Sequence, residues 1–254
     1  MTRPTFGKPL NIDRIYLIDA LGGLKRIASN SVDLVVTDPP YNIAAANRVT
    51  MKSGTPMSTL AVWGHWDTFH PFDYDVLIMA VIGECYRILK PGGALYMFTA
   101  REQNGYFVRK AVARGFVYRN QLVMAKKNPL PSLSKSNWRS AFELCMYVTK
   151  GKPGVFNFLS QSECKNVFHY SNSRRETKHP TEKPLDFIKL LIRASSNQGD
   201  LIVDPFMGSG TTAVAAKALG RRYLGFDTDS SYVRMARDRL KRTRRIDDGS
   251  QAVA

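Results

Sequence analysis

The chain contains little cysteine and no long apolar run. Three of its 254 residues are cysteines (Cys85, Cys145 and Cys164), and they form no Cys-x-x-Cys pair. Disulfide frameworks and zinc sites need cysteines at regular spacings, so we predict reduced thiols, no metal site and an intracellular protein. The apolar runs stay well short of the roughly 18 residues of a membrane-spanning helix, and the N-terminus lacks the apolar core of a secretion signal. We therefore predict no membrane partner.

Acidic residues are scarce as well. Asp and Glu number 21 against 37 Lys and Arg, which gives a formal net charge of +16 at pH 7. Such an excess attracts polyanions, above all nucleic acid. Part of the excess lies in residues 234–245, so the charge favours a nucleic-acid partner without locating the surface that contacts it.

Apolar residues alternate between short strand-like runs and helical spacing along most of the chain. This alternation indicates crossover connections, so we predict an α/β fold with a doubly wound, mostly parallel sheet. No repeat or linker divides the sequence, and residues 1–254 are predicted to form a single domain. The predicted strands cover residues 15–18, 34–36, 94–98, 120–125, 142–148, 201–203 and 222–226. The predicted helices cover residues 24–28, 74–89, 103–114, 184–195, 211–219 and 231–241.

One apolar run ends abruptly in Asp38-Pro39-Pro40-Tyr41. Proline has no N–H to donate to a sheet ladder, and it disfavours the helical region for the residue before it. Open α/β sheets place their chemistry at the carboxyl ends of strands. We therefore predict a stiff turn that presents one carboxylate and one aromatic ring to the reacting group of a substrate.

A second run ends in Asp204 and continues through a glycine-rich turn into a helix. Gly208 and Gly210 permit positive φ and the close approach of a ligand. Their spacing also fits a dinucleotide fingerprint, with Asp227 placed to accept hydrogen bonds from ribose hydroxyls. No Lys follows Gly210, which argues against a nucleoside triphosphatase. The carboxylate before the turn favours a cationic ligand over a pyrophosphate, and S-adenosylmethionine carries both a sulfonium and an ammonium.

A third cluster, His179-Pro-Thr-Glu-Lys-Pro184, leads into a predicted amphipathic helix. A cation at the start of a helix opposes the helix dipole. Lys183 is therefore a candidate to bind the carboxylate of a ligand, and an ordinary exposed lysine is the equal alternative.

Together these segments resemble the S-adenosylmethionine-dependent DNA amino-methyltransferases of the β group, which modify adenine N6 or cytosine N4. The resemblance runs from about residue 13 to residue 239, in the circularly permuted order that places the catalytic turn first and the glycine loop last. It implies that the catalytic residues are Asp38, Pro39, Pro40 and Tyr41. It implies that the cofactor-binding residues are Asp19, Asp38, Thr181, Glu182, Lys183, Pro184, Asp204, Pro205, Phe206, Gly208, Ser209, Gly210, Thr211, Thr212 and Asp227.

The residue types suit transfer to an exocyclic amino group, whose lone pair is delocalised into the base. Asp38 and the Pro39 carbonyl would accept hydrogen bonds from this group and direct its lone pair toward the methyl donor. Tyr41 would stack on a base flipped out of the duplex. No cysteine lies in a Pro-Cys turn, which argues against cytosine C5 methylation. The tetrapeptide with the following Asn42 favours adenine N6 as the target. Cytosine N4 stays an alternative, because cytosine presents the same amidine-like edge to the turn.

The resemblance further implies double-stranded DNA as the partner, and it is compatible with a homodimer and a cognate restriction endonuclease. Residues 42–72, which lack periodicity, are predicted to form a mobile loop that faces DNA. Residues 150–178 are predicted to form a small target-recognition segment. The candidate DNA contacts are Asn42, Lys126, Lys127, Arg139, Arg174 and Arg175.

Three other functions compete with this interpretation. A hydride-transferring dehydrogenase could use Gly208, Gly210 and Asp227, but it leaves Asp38 to Tyr41 and the basic charge unexplained. A DNA-binding protein that has lost catalysis would keep the fold without needing the intact catalytic turn. RNA or a protein glutamine could replace DNA as the methyl acceptor.

Overall fold

The computed structural model describes residues 7–42, 69–129, 131, 135, 138–171 and 183–245. Within them the chain forms one sheet of eight strands flanked by helices. The strands are β1 (Arg14–Leu17), β2 (Val32–Thr37), β3 (Leu89–Thr99), β4 (Val117–Lys126), β5 (Phe142–Thr149), β6 (Val167–Tyr170), β7 (Leu201–Asp204) and β8 (Arg222–Asp227). The helices are α1 (Ala20–Leu24), α2 (Pro71–Ile88), α3 (Asn104–Arg114), α4 (Leu185–Ser195), α5 (Thr211–Ala218) and α6 (Ser230–Arg242).

The strand order is β1-β8-β7-β2-β3-β5-β4-β6. All neighbouring pairs are parallel except those that β5 makes with β3 and with β4. Among the described strands, β5 alone runs against the other seven, and its first residues lie at the edge where its neighbours end. The predicted α/β fold with a mostly parallel sheet is confirmed.

The two faces of the sheet are covered by different helices. In β2, Leu34 and Val36 point into the layer formed with α4, α5 and α6, whereas Val35 points into the layer formed with α1, α2 and α3. All three side chains are fully buried, and burial of such a side chain contributes about 1.5–3 kcal/mol. Successive side chains of a strand point to opposite faces of the sheet, and both faces are buried here. Every residue of this central strand segment is therefore apolar.

The first helix begins earlier than predicted. Helix α1 begins at Ala20, where the Asp19 side chain caps it by accepting a hydrogen bond from Gly22 N at 2.8 Å. The predicted helix over residues 24–28 is thus wrong, since the chain leaves the helix after Leu24. Gly23 is a poor helix former, but a Cβ there would lie 2.5 Å from the Phe226 ring. Close packing of Gly23 against β8 therefore determines where this helix lies, although glycine has a low helix propensity.

Strand β6 was not predicted. It lies within residues 150–178 and pairs in parallel with β4 at the edge of the sheet. Part of this segment therefore belongs to the central sheet, and its role in target recognition stays a prediction. Residues 172–182 lie outside the described residues, as do residues 43–68 of the predicted DNA-facing loop.

The thiols of Cys85 and Cys145 are buried, that of Cys164 is partly exposed, and all three are free. Among the described helices, none has the length and apolar character to cross a membrane.

Candidate active site

Four aspartates follow the carboxyl ends of four neighbouring strands. Asp19 follows β1, Asp227 ends β8, Asp204 ends β7 and Asp38 follows β2. Neighbouring strands lie about 4.8 Å apart, so this row spans roughly 14 Å along one edge of the sheet. The hydroxyl of Thr37 donates to Asp204 Oδ1 at 2.9 Å across 167 residues of sequence. The structure thus brings the catalytic turn and the glycine loop together, because both follow the carboxyl ends of neighbouring strands.

The turn after β2 is held by hydrogen bonds at both of its ends. Tyr41 Oη donates to Asp38 Oδ1 at 2.8 Å. Tyr74, a buried residue of α2, donates its hydroxyl to the Pro40 carbonyl at 2.8 Å. Burial raises the pKa of the Asp38 carboxyl, and a nearby lysine opposes this effect. The carboxylate is therefore fixed in a poorly solvated position, where its orientation is set by the protein.

The lysine is Lys183, which precedes α4. Its Nζ lies 2.6 Å from Asp38 Oδ2 and 3.2 Å from Glu143 Oε2, and its side chain is 9% exposed. Burial alone would lower the pKa of Lys183, but the two carboxylates raise it. Because the side chain is buried, the alternative of an ordinary exposed lysine is excluded. Lys183 binds carboxylates of the protein itself, and its predicted contact with a ligand carboxylate stays a prediction.

Asp204 is the most deeply buried carboxylate of the row, at 4% exposure. It accepts hydrogen bonds from Thr37, from Phe206 N at 3.0 Å and from the Thr212 side chain. These donors are all neutral, and burial raises the pKa of Asp204 to about 7. The negative charge of this group therefore favours a bound cation.

The glycine turn has the positive φ angles that were predicted, 50° at Gly208 and 86° at Gly210. A Cβ on Gly210 would lie 2.5 Å from the Cβ of Ala236 and 3.0 Å from its Cα. Gly210 is thus required for the close approach of α6. The Arg239 guanidinium also contacts this turn, donating to the Ser209 carbonyl at 2.9 Å. It lies 3.3 Å from the Ser209 hydroxyl and 3.2 Å from the Thr211 hydroxyl, so these predicted cofactor residues also hold the turn against α6.

We expect Gly210→Ala to destabilise the protein by about 2 kcal/mol or more, because a left-handed φ and a clash with Ala236 act together. Gly199→Ala is the matched control, since Gly199 also has a positive φ of 85° but a Cβ there meets nothing within 4 Å. Thermal unfolding of both variants measures the difference. Equal losses of Tm would show that the contact with α6 does not matter.

The remaining two aspartates of the row already bind backbone amides. Asp227 accepts hydrogen bonds from Gly208 N and from Asp229 N, both at 2.8 Å, and burial raises its pKa. Asp19 caps α1. A carboxylate offers about four lone-pair positions, so both groups keep acceptors for hydroxyl or amino groups of a ligand.

Comparison with known proteins identifies the family of this site. The family model N6_N4_Mtase, described as DNA methylase, matches residues 32–238, a span that contains both loops of the site. The chain belongs to this DNA methylase family. The family resemblance inferred from the motifs is thereby confirmed.

Relatives of this DNA methylase match over most of its length. It is 30% identical to type II methyltransferase M2.DpnII of Streptococcus pneumoniae, over 95% of this chain and 93% of the relative. It is 29% identical to type II methyltransferase M.HinfI of Haemophilus influenzae, over 88% and 67% of the two chains.

Solved structures agree with the fold. The complex of M1.HpyAVI with SAM (S-adenosylmethionine) superimposes with a TM-score of 0.69 at 26% identity, covering 89% of this chain and 98% of the other. The cytosine-N4-specific PvuII DNA methyltransferase superimposes with a TM-score of 0.71 over 97% and 92% of the chains. Its identity is 19%, so it supports the fold alone.

The predicted DNA contacts of the methylase are only partly described. Asn42 has a φ of 55° and accepts a hydrogen bond from Phe69 N at 2.8 Å, so it joins the two ends of the predicted loop. Lys126 points inward to Glu143 at 2.9 Å. The side chains of Lys127 and Arg139 are exposed at the same edge of the sheet, and the Arg139 guanidinium also donates to the Pro129 carbonyl. Thr181, Glu182, Arg174 and Arg175 lie outside the described residues.

In the sequence, Glu143 was named only as the end of residues 139–143, which resemble a catalytic-side motif of the family, and Arg239 was not selected. Glu143 is a charged residue inside the apolar strand β5, and this exception to the strand pattern was a usable signal. Arg239 lies in a run of basic residues near the end of α6, where no local pattern separates it from its exposed neighbours.

Proposed function

We propose that this DNA methylase transfers the methyl group of S-adenosylmethionine to the N6 amino group of adenine at specific sites in double-stranded DNA. The observation that carries the proposal is the direct contact between the catalytic turn and the glycine loop, the 2.9 Å hydrogen bond from Thr37 to Asp204. This contact supports a site in which an acceptor of the amino group and a binder of the cofactor are neighbours.

The row of aspartates fits S-adenosylmethionine, which supplies an electrophilic methyl group on a sulfonium. Asp204 is buried, and its donors among the described residues are neutral, so it would pair with the ammonium of the methionine end. Asp227 would accept hydrogen bonds from the ribose hydroxyls, and Asp19 lies toward the adenine end of the row. M1.HpyAVI and the Thermus thermophilus protein TTHA0409 were both solved with this cofactor.

The turn after β2 would hold the target amino group. Asp38 and the Pro39 carbonyl accept its two N–H hydrogens and direct the nitrogen lone pair toward the methyl group. The ring of Tyr41 stacks on the flipped base while its hydroxyl keeps Asp38 in position at 2.8 Å,. Holding amine and sulfonium in line supplies much of the remaining rate enhancement, and no covalent intermediate with the protein is needed.

Adenine and cytosine present the same amino edge to such a turn, so cytosine N4 is the alternative target. The Asp-Pro-Pro-Tyr sequence followed by Asn42 favours adenine. We also propose a role in restriction–modification, since the relatives named above are type II methyltransferases.

Identification of the modified base tests this proposal. Unmethylated genomic DNA is incubated with the protein and S-adenosylmethionine, digested to nucleosides and analysed by mass spectrometry. We expect N6-methyldeoxyadenosine, and at least about 100-fold less of it in a parallel reaction with Asp38→Ala. A product of N4-methyldeoxycytidine would overturn the adenine target alone. Methylation of RNA or protein with none of DNA would overturn the proposed substrate.

A further inference from the structure

Glu143 lies beside the proposed catalytic centre at the start of β5, and the function proposed above gives it no role. Its Oε1 lies 2.9 Å from Lys126 Nζ and accepts a hydrogen bond from Tyr170 Oη at 3.3 Å. Its Oε2 faces Lys183 Nζ at 3.2 Å. Burial alone would raise the pKa of Glu143, but the two ammonium groups lower it to about 2. Glu143 is therefore anionic at neutral pH, and its two oxygens have separate partners.

Among the described residues, Lys183 has two anionic neighbours and is nearer to one of them. Its Nζ lies 2.6 Å from Asp38 Oδ2 and 3.2 Å from Glu143 Oε2. The ring centroids of Tyr41 and Phe98 lie 5.4 and 5.0 Å away. An ammonium has three N–H donors and no acceptor. The ammonium therefore has enough donors to contact both carboxylates from within this enclosure.

The ion pair between Lys183 and Asp38 opposes the chemistry proposed for Asp38. A target amino group needs Asp38 as a strong acceptor, and its nitrogen gains positive charge as the new C–N bond forms. An ammonium 2.6 Å from the same carboxylate weakens that acceptor and repels the developing charge,. Asp38 therefore works best when Lys183 gives its strongest hydrogen bond to another anion, and Glu143 is already in contact.

We propose that Lys183 exchanges its principal partner in each turnover, pairing with Asp38 in the free enzyme and with Glu143 when Asp38 accepts the target amino group. Glu143 is then a positioning residue that acts through Lys183, while Lys126 and Tyr170 hold its other oxygen in place. The exchange makes and breaks no covalent bond. It rests on the proposed methylation of an amino group.

Two variants at this position test the exchange. Glu143→Gln removes the anionic acceptor, and the double variant Glu143→Gln/Lys126→Met also removes its counter-charge. We expect kcat to fall about 10- to 100-fold in both, with the Kd for S-adenosylmethionine unchanged within about twofold. Glu84→Gln is the matched control and keeps wild-type kcat. Glu84 is also ion-paired, to Arg87 at 2.7 Å, and its side chain is 19% exposed against 22% for Glu143.

The double variant distinguishes the exchange of partners from an alternative in which Glu143 only neutralises the charge of nearby lysines. It loses one carboxylate and one ammonium together, so its Tm recovers relative to the single variant while its kcat does not. Among the described anions, Lys183 is then left with Asp38, which lowers the pKa of Asp38 and moves the acid limb of the kcat–pH profile to lower pH. The other described ionisable groups near this pair, Tyr41, Cys145 and Asp204, are unchanged.

Either wild-type kcat in the double variant or an acid limb at its wild-type position overturns the exchange. Glu143 would then be a structural member of a charge cluster. If the wild-type protein transfers no methyl group to DNA, the proposed function itself fails and the exchange fails with it. Assay of the wild-type protein beside the variants therefore tells the two failures apart.

Discussion

Methyl transfer to DNA should fall about 100- to 1,000-fold or more when Asp38 is replaced by alanine, because the variant loses the acceptor that directs the amino lone pair. Binding of S-adenosylmethionine should persist, since Asp204 and Asp227 hold their own hydrogen bonds independently of Asp38. Transfer of tritium from labelled cofactor to DNA measures the first effect. Isothermal titration of the cofactor measures the second.

Asp38→Asn removes the negative charge of the side chain while nearly keeping its shape. Asparagine keeps an acceptor oxygen for the Tyr41 hydroxyl, but it accepts more weakly from a target amino group than a carboxylate does. Asp33→Asn is the matched control, because Asp33 lies on the same strand and is ion-paired with Lys90 at 2.6 Å, at the opposite end of β2. We expect the control to retain activity. Wild-type kcat in Asp38→Asn would contradict the proposed role of the carboxylate.

The strand ends that carry this site were predictable because a central parallel strand must be apolar on both faces. Such a run precedes Asp38, another precedes Asp204, and Asp227 ends the next one, so each carboxylate had a definite position at one edge. The polarity change at the end of each run is a local signal. The fold class followed from the same signal, repeated along the chain.

The partners of these carboxylates could not be predicted in the same way. Lys183 and Asp38 are 145 residues apart, and Glu143 joins them because the reversed strand β5 starts at the edge where β2 and β3 end. Strand direction and order are global properties that no local pattern encodes. Strand β6 was missed for a related reason, because two of its four residues are exposed and two are partly buried at the sheet edge.

The second large effect is expected at Asp204. We expect Asp204→Asn to bind S-adenosylmethionine about 100-fold more weakly at pH 8, because it leaves the ligand ammonium without its buried counter-charge. Asp200→Asn is the matched control. Asp200 immediately precedes β7, at the opposite end from the site, and its carboxylate accepts a hydrogen bond from Asn197 N at 2.7 Å. Unchanged cofactor affinity in Asp204→Asn would contradict the assignment of this residue.

The pH dependence of cofactor binding gives an independent check of the same carboxylate. The pKa of Asp204 is about 7 in the free protein, so the group is largely protonated at pH 6 and largely ionised at pH 8. A cationic ligand binds the ionised form, so the wild-type Kd should rise about tenfold between pH 8 and pH 6. The asparagine variant has no group to titrate at this position and should lack that rise.

Stability should change in the opposite direction from binding. The folded pKa of Asp204, about 7, lies above the usual 3.8, so between these values the folded protein holds a proton that the unfolded chain has lost. Wild-type stability therefore falls as pH rises through this window, and Asp204→Asn avoids that loss. The Tm of the cofactor-free variant, measured relative to wild type, should increase from pH 5 to pH 8. A relative Tm that fell over this range would show that the carboxylate is not desolvated. A relative Tm that increased would mean that the Asp204 carboxylate destabilises the cofactor-free protein. The protein would then retain this charge at the position where it binds the ammonium of the proposed cofactor.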